Sequence, residues 1–181
     1  EVGLVRVADA IAEGRPTLLL GVGASALAAS DLNQKLQRIG LVSVFSTDTH
    51  MQLSLAALAA PASVVIAFSF SGRTAEVHRG MELARQQGSL LVAVTGDPES
   101  PIGRAADLVL AIGCKFSHNG SRGFRLVLPA EKLAHVDASA AVLGANDAAR
   151  WAIQADAGAF LRSVLEALGP GPPDNTGFTA S

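Results

Sequence analysis

The sequence predicts an α/β fold, a three-layer α/β/α sandwich around a five-stranded parallel sheet. Two observations carry this. Five short runs of Val, Leu, Ile and Ala recur up to Ile112, and none alternates apolar with polar residues. Such runs belong to strands covered on both faces, as in a parallel sheet between helices. The segments between them keep helical spacing, and alternating strands and helices build layered α/β domains. Composition agrees: 49 % of the 181 residues are apolar and 17 % charged, which suits one globular domain and excludes a disordered chain. Aromatics are 4 % with no tyrosine, so the core is aliphatic.

The elements follow in order. Leu4, Val5, Ala8, Ile11 and Ala12 keep helical spacing until Gly14-Arg15-Pro16 stops them. The first strand is Thr17–Val22. Ala28, Leu32, Lys35, Leu36 and Ile39 mark the next helix, ended by Gly40, and Leu41–Phe45 is the second strand. From Thr49 to Gly72 no residue is charged, long enough to span a bilayer by length alone. Pro61 divides that stretch, which reads as a helix N-capped by Asp48 and then a buried strand, Ser63–Phe68. Val77, Met81 and Ala84 mark a helix opened by Thr74 and closed by Gly88; the strands Leu90–Val94 and Leu108–Ile112 follow.

Beyond Ile112 the pattern changes. Gly113–Gly123 reads as loop and Phe124–Leu128 as a short extra strand. Two helices are expected over Glu131–Leu143 and Asp147–Leu168, broken by Gly144-Ala145-Asn146. The domain is expected to span 1–168, with a flexible Pro/Gly-rich tail over 169–181. The stripe Phe160, Leu161, Val164, Leu165 and Leu168 packs either on the sheet or across a two-fold interface.

The net charge of −2 argues against a stand-alone nucleic-acid binder. The single cysteine, Cys114, excludes an intramolecular disulfide and fits a cytoplasmic setting. No basic run opens the chain at Glu1, so no secretory leader is expected. His118 and His135 lack metal-ligand spacing, so no metal is expected, and a binding domain of the kind read below needs no cofactor.

Two motifs stand at strand ends. Gly21-Val22-Gly23-Ala24-Ser25 joins the first strand to its helix, and Ser69-Phe70-Ser71-Gly72-Arg73-Thr74 joins the third strand to its own. A helix N-terminus offers unpaired N–H groups and a positive dipole, which favour phosphate. Hydroxyls add donors, Arg73 adds a charge, and Gly72 permits close backbone approach. In the flavodoxin-like order 2-1-3-4-5 both motifs face one crevice. Gly21-x-Gly23-x-x-Ala26 also fits a dinucleotide fingerprint, with Asp48 as a late acidic partner, which leaves a nucleotide-cofactor enzyme open as an alternative.

Together with Thr95-Gly96-Asp97-Pro98-x-Ser100-Pro101, these motifs resemble a sugar isomerase (SIS) domain. Asp48-Thr49-His50-Met51-Gln52 and Asp107 make the likeness closer to the effector domain of RpiR-type transcriptional regulators. The resemblance covers about residues 1–115. It implies the SIS fold and a sugar phosphate ligand, the phosphate on Ser69, Ser71, Gly72, Arg73 and Thr74 and the sugar near Gly23, Ser25 and His50. It also implies a homodimer or higher homo-oligomer, and DNA binding only through an N-terminal helix-turn-helix domain that precedes this chain in such regulators. Many SIS proteins carry Glu where Arg73 stands, which favours binding over turnover. Were the chain an aldose–ketose isomerase, His50 and Glu76 would be its acid–base candidates.

Overall fold

The computed structural model describes residues 7, 9–113, 116, 130–143, 145 and 148–167. After a first helical stretch, α1 (9–12), the chain builds β1 (Thr17–Gly21), α2 (Ala24–Arg38), β2 (Ser43–Val44), α3 (Thr49–Ala57), β3 (Val64–Phe68), α4 (Ala75–Gln86), β4 (Leu90–Val94), α5 (Pro101–Ala105) and β5 (Leu108–Ile112). A 3-10 turn (Ala130–Lys132), β6 (Leu133–Asp137), β7 (Trp151–Gln154) and α6 (Ala157–Ala167) follow.

The strands form one parallel sheet in the order β2-β1-β3-β4-β5-β6-β7. The five expected strands are present in the expected order. The sheet is two strands wider than expected, and those two correct the sequence reading. Glu131–Leu143 is not a helix: it holds the 3-10 turn and β6. Asp147–Leu168 holds β7 and then α6. The misreading has a physical cause. Leu133, Ala134, His135 and Val136 are all buried, with Leu133 in the core on one face and Ala134 in the core on the other. A strand covered on both faces has no period-two signal, and an alanine-bearing apolar run then looks helical. The extra strand over Phe124–Leu128 and the tail from Gly169 lie outside the described residues, as do Cys114 and His118.

Alternate strand residues feed two cores. Leu18, Leu20, Val65, Ala67, Leu91, Ala93 and Val109 pack with α3, α4 and α5 through Ala56, Met81 and Ile102. Leu19, Ile66, Val92 and Leu108 pack with α1 and α2 through Ile11, Ala29 and Leu36. One crossover therefore lies on one face and the next three on the other, as right-handed connections require when the chain steps from β1 out to β2 and back across to β3. The uncharged Thr49–Gly72 stretch is α3 followed by β3, and among the described residues no helix is long and apolar enough to cross a membrane.

The short helix α5 is held at both ends. Ser100 caps its start by accepting from the Gly103 N–H at 3.2 Å. Lys132 Nζ, arriving with the turn before β6, donates to the carbonyls of Gly103, Arg104 and Ala106 at 3.1, 3.1 and 2.9 Å. Burial lowers the Lys132 pKa from its ordinary value. Because β6 closes the core, Leu133→Ala is expected to cost about 2–5 kcal/mol in urea unfolding; a change within experimental error would contradict its fully buried place.

Candidate functional site

In a sheet of this order ligands bind beyond the carboxyl ends of the strands, where the crossovers diverge. Here that point lies between β1 and β3, whose last residues, Gly21 and Phe68, are register partners. The loops to α2 and α4 therefore leave the same edge of the sheet side by side. The sequence-predicted residues on them, Gly23 and Ser25 on one and Ser69–Thr74 on the other, are brought to one crevice.

The starts of α2 and α4 differ from those of α3 and α5. Asp48 caps α3, its Oδ1 accepting from the N–H groups of His50 and Met51 at 2.8 and 3.2 Å, and Ser100 caps α5. Gly23 and Thr74, at the starts of α2 and α4, make no side-chain cap. A helix start without a side-chain cap leaves first-turn N–H donors for solvent or a ligand.

The Thr74 hydroxyl turns instead to Ser69 Oγ, 3.0 Å away. Ser69 is buried and also accepts from the Gly72 N–H at 3.1 Å. Ser71 is exposed and accepts from the Arg73 N–H at 3.3 Å. Gly72 has φ +65°, and a Cβ on it would sit 1.8 Å from Ser100 Oγ and 2.9 Å from Thr95 Oγ1. The glycine is thus demanded by the loop after β4 packed against it. The same loop supplies a partner that the sequence did not signal: Asp97 meets the Arg73 guanidinium at 2.9 Å. Arg73 remains 45 % exposed while the Asp97 side chain is 14 % exposed, so the ion pair stands at the mouth of the crevice with its acidic side sheltered.

His50 and Glu76 lie exposed in the first turns of α3 and α4. Gln52, two residues after His50, is buried and bonds Gly21 through both backbone groups, which brings the start of α3 to the end of β1. Its only sequence signal was its place in the Asp-x-His-x-Gln motif. Asp48, the acid a bound dinucleotide would need, is engaged as a helix cap. No group of three or more metal-ligating side chains occurs among the described residues. A cavity of about 460 Å³ lies at the opposite edge of the sheet, lined by Asp9, Glu13, Arg15, Arg85, Ser89 and Asp107 among others. Its arginines are already paired, Arg15 with Glu13 and Arg85 with Asp107. It sits at the amino ends of the strands, so the crevice is the candidate site.

Fold and crevice define a doubly wound α/β domain with two helix starts that lack side-chain caps beside one gap. The model of the SIS domain family matches residues 11–115, more than half of the chain, and the chain belongs to that family. A second model, the central domain of thiamine pyrophosphate enzymes, matches residues 89–164, less than half of the chain, and overlaps the first. Among curated proteins, the chain is 37 % identical over 112 residues to an uncharacterized HTH-type transcriptional regulator of Haemophilus influenzae, covering 62 % of this chain and 39 % of the relative. It is 31 % identical over 102 residues to another from Clostridium perfringens, covering 56 % and 37 %. The match thus spans under two fifths of these relatives. Among solved structures, the Vibrio vulnificus NanR protein complexed with ManNAc-6P is 27 % identical with a TM-score of 0.56, covering 59 % of this chain and 40 % of that one. A Listeria monocytogenes chain described as a candidate sugar-phosphate isomerase is 29 % identical with a TM-score of 0.53, covering 59 % and 56 %.

Gly72→Ala tests the packing of the loop. The left-handed φ alone should cost roughly 1–2 kcal/mol, and the overlap with Ser100 adds to it. Denaturant unfolding should show at least that loss, and a variant as stable as the wild type would contradict the loop geometry.

Proposed function

We propose that the chain is the phosphosugar-binding regulatory domain of a transcription regulator of the RpiR type. The observation that carries this is the pair of helix starts without side-chain caps at the β1/β3 crevice, one of them beside the hydroxyls of Ser69, Ser71 and Thr74. A phosphate there accepts from first-turn N–H groups of α4 and from the hydroxyls, and competes with Asp97 for Arg73. Gly23 and Ser25 on the β1 side and His50 on α3 face the sugar. The regulators among the relatives and the NanR complex with ManNAc-6P support this reading. In an intact regulator, ligand binding would shift the geometry of a cytoplasmic homodimer and so the spacing of its paired DNA-binding domains.

Binding rather than turnover follows from the charge at position 73. An isomerase needs a base beside the substrate carbon and a partner for its oxygen. Arg73 supplies a cation, paired with Asp97, where a glutamate as in many SIS proteins would supply a candidate base. The candidate isomerase among the solved neighbours keeps turnover as the competing reading.

Three outcomes are expected. Calorimetry should detect phosphorylated but not free sugars, and Ser71→Ala should weaken binding by about 1.5–3 kcal/mol, roughly ten- to a hundredfold; unchanged affinity removes the phosphate site. The protein should not exchange the C2 proton of an aldose phosphate with deuterated water, as followed by NMR; exchange abolished by His50→Ala would establish the isomerase instead. Sedimentation at micromolar concentration should give a dimer, and a monomer would overturn that part of the reading.

A further inference from the structure

We propose that Gln52 is the positioning residue of the crevice: its buried side-chain amide stands in for a missing strand beside Gly21 and so sets the turn that starts α2. This rests on reading the crevice as a ligand site.

The need for such a group comes from the sheet. Strand β2 is two residues long and pairs only with Thr17 and Leu18. The Thr17 N–H donates to the Val42 carbonyl, so Thr17 faces the β2 side. Peptide groups along a strand alternate between its two neighbours, and Leu19 and Gly21 therefore face that side too. At Gly21 the second strand has already ended. An unpaired amide and carbonyl in a buried position would each be costly.

Gln52 supplies what the strand does not. Its Oε1 accepts from the Gly21 N–H at 3.1 Å, and its Nε2 donates to the Gly21 carbonyl at 2.9 Å. One primary amide thus presents to Gly21 the acceptor and donor that a neighbouring backbone would present. The second Nε2 hydrogen goes to the Ser46 carbonyl at 2.7 Å, in the segment leading to the Asp48 cap and His50. Gln52 is 3 % exposed.

The constraint passes directly to the ligand-facing turn. A Cβ on Gly21 would lie 2.9 Å from the Ser25 carbonyl oxygen and 3.3 Å from the Ala26 nitrogen. The backbone of Gly21 therefore lies against the first turn of α2. Where Gln52 holds the Gly21 peptide groups, Gly23 and Ser25 follow. Through Ser46 the same side chain fixes the approach to His50, so one amide sets both sugar-facing walls relative to β1.

The test uses the full chain. Gln52→Met keeps much of the shape and removes all three bonds. Gln52→Glu keeps an acceptor for the Gly21 N–H and loses both donors. Leu58→Ala, an 84 % exposed side chain at the far end of α3, is the control. Amide exchange by NMR on ligand-free protein should show a slowly exchanging Gly21 N–H in the wild type and the control. In Gln52→Met it should exchange faster, with displaced resonances for Gly23 to Ala26. Titration with ManNAc-6P and with inorganic phosphate should separate sugar from phosphate contacts. ManNAc-6P should bind Gln52→Met at least about tenfold more weakly, with inorganic phosphate, seated on the β3 side, affected less. Gln52→Glu should fall between, and carries the test if Gln52→Met does not fold. A folded variant with unchanged Gly21 exchange, or with unchanged ManNAc-6P affinity, overturns the inference. Equal losses for both ligands overturn it too, since they point to general damage. Wild-type protein that binds neither inorganic phosphate nor any of a panel of sugar phosphates overturns the phosphosugar reading and the ligand part of this inference, while the Gly21 exchange result stands apart from it.

Discussion

The level ending of β1 and β3 is the constraint on which the rest of the domain depends. Gly21 and Phe68 are partners in a parallel ladder, and the chain leaves them toward opposite faces of the sheet. A parallel sheet that grows from its interior must have such a point, because the crossovers reverse direction there. Two helix starts are thereby set beside one gap, and their dipoles add. Asp48 and Ser100 quench the starts of α3 and α5. At the gap glycine and a diverted threonine leave the starts without side-chain caps, so the fold and the proposed anion preference share one cause.

The loops at the gap are held in shape from behind. Gly72 is pressed between Ser100 and Thr95, its carbonyl accepts from the Ile102 N–H, and the Phe70 carbonyl accepts from the Gly96 N–H. The β4–α5 loop thus serves as a mould for the β3–α4 loop, and α5 in turn is pinned by Lys132. Residues far along the chain thus immobilise the loops of the proposed site, which would reduce the ordering cost of binding there.

How much of this was legible follows from which signals are local. The runs Thr17–Val22, Ser63–Phe68, Leu90–Val94 and Leu108–Ile112 read as buried strands because each lies between helix breaks and contains almost nothing polar. The expected strand Leu41–Phe45 is shorter in the structure: ladder partners are confined to Ser43 and Val44, at a sheet edge where the Val42 and Val44 side chains are exposed. Leu133–Val136 hid in an alanine-rich stretch whose helical propensity yields to burial on both faces. The hydroxyl pattern of Ser69–Thr74 was legible because capping chemistry is local. The Arg73–Asp97 pair and the bonds of Gln52 to Gly21 were not, because they join residues 24 and 31 positions apart and exist only once the sheet has assembled.

The two walls of the crevice are unequal in strength. On the β3 side stand five further strands, each buried between its neighbours until the far edge. On the other side stands a two-residue strand, with one glutamine amide continuing its work. Cooperative opening begins where few buried contacts and backbone bonds hold an element. The β2–α3 wall is therefore the compliant jaw of the domain and the β3–α4 wall the anvil. In the proposed site the phosphate would seat against the firmer wall, and the variable part of the sugar would meet the one that can adjust.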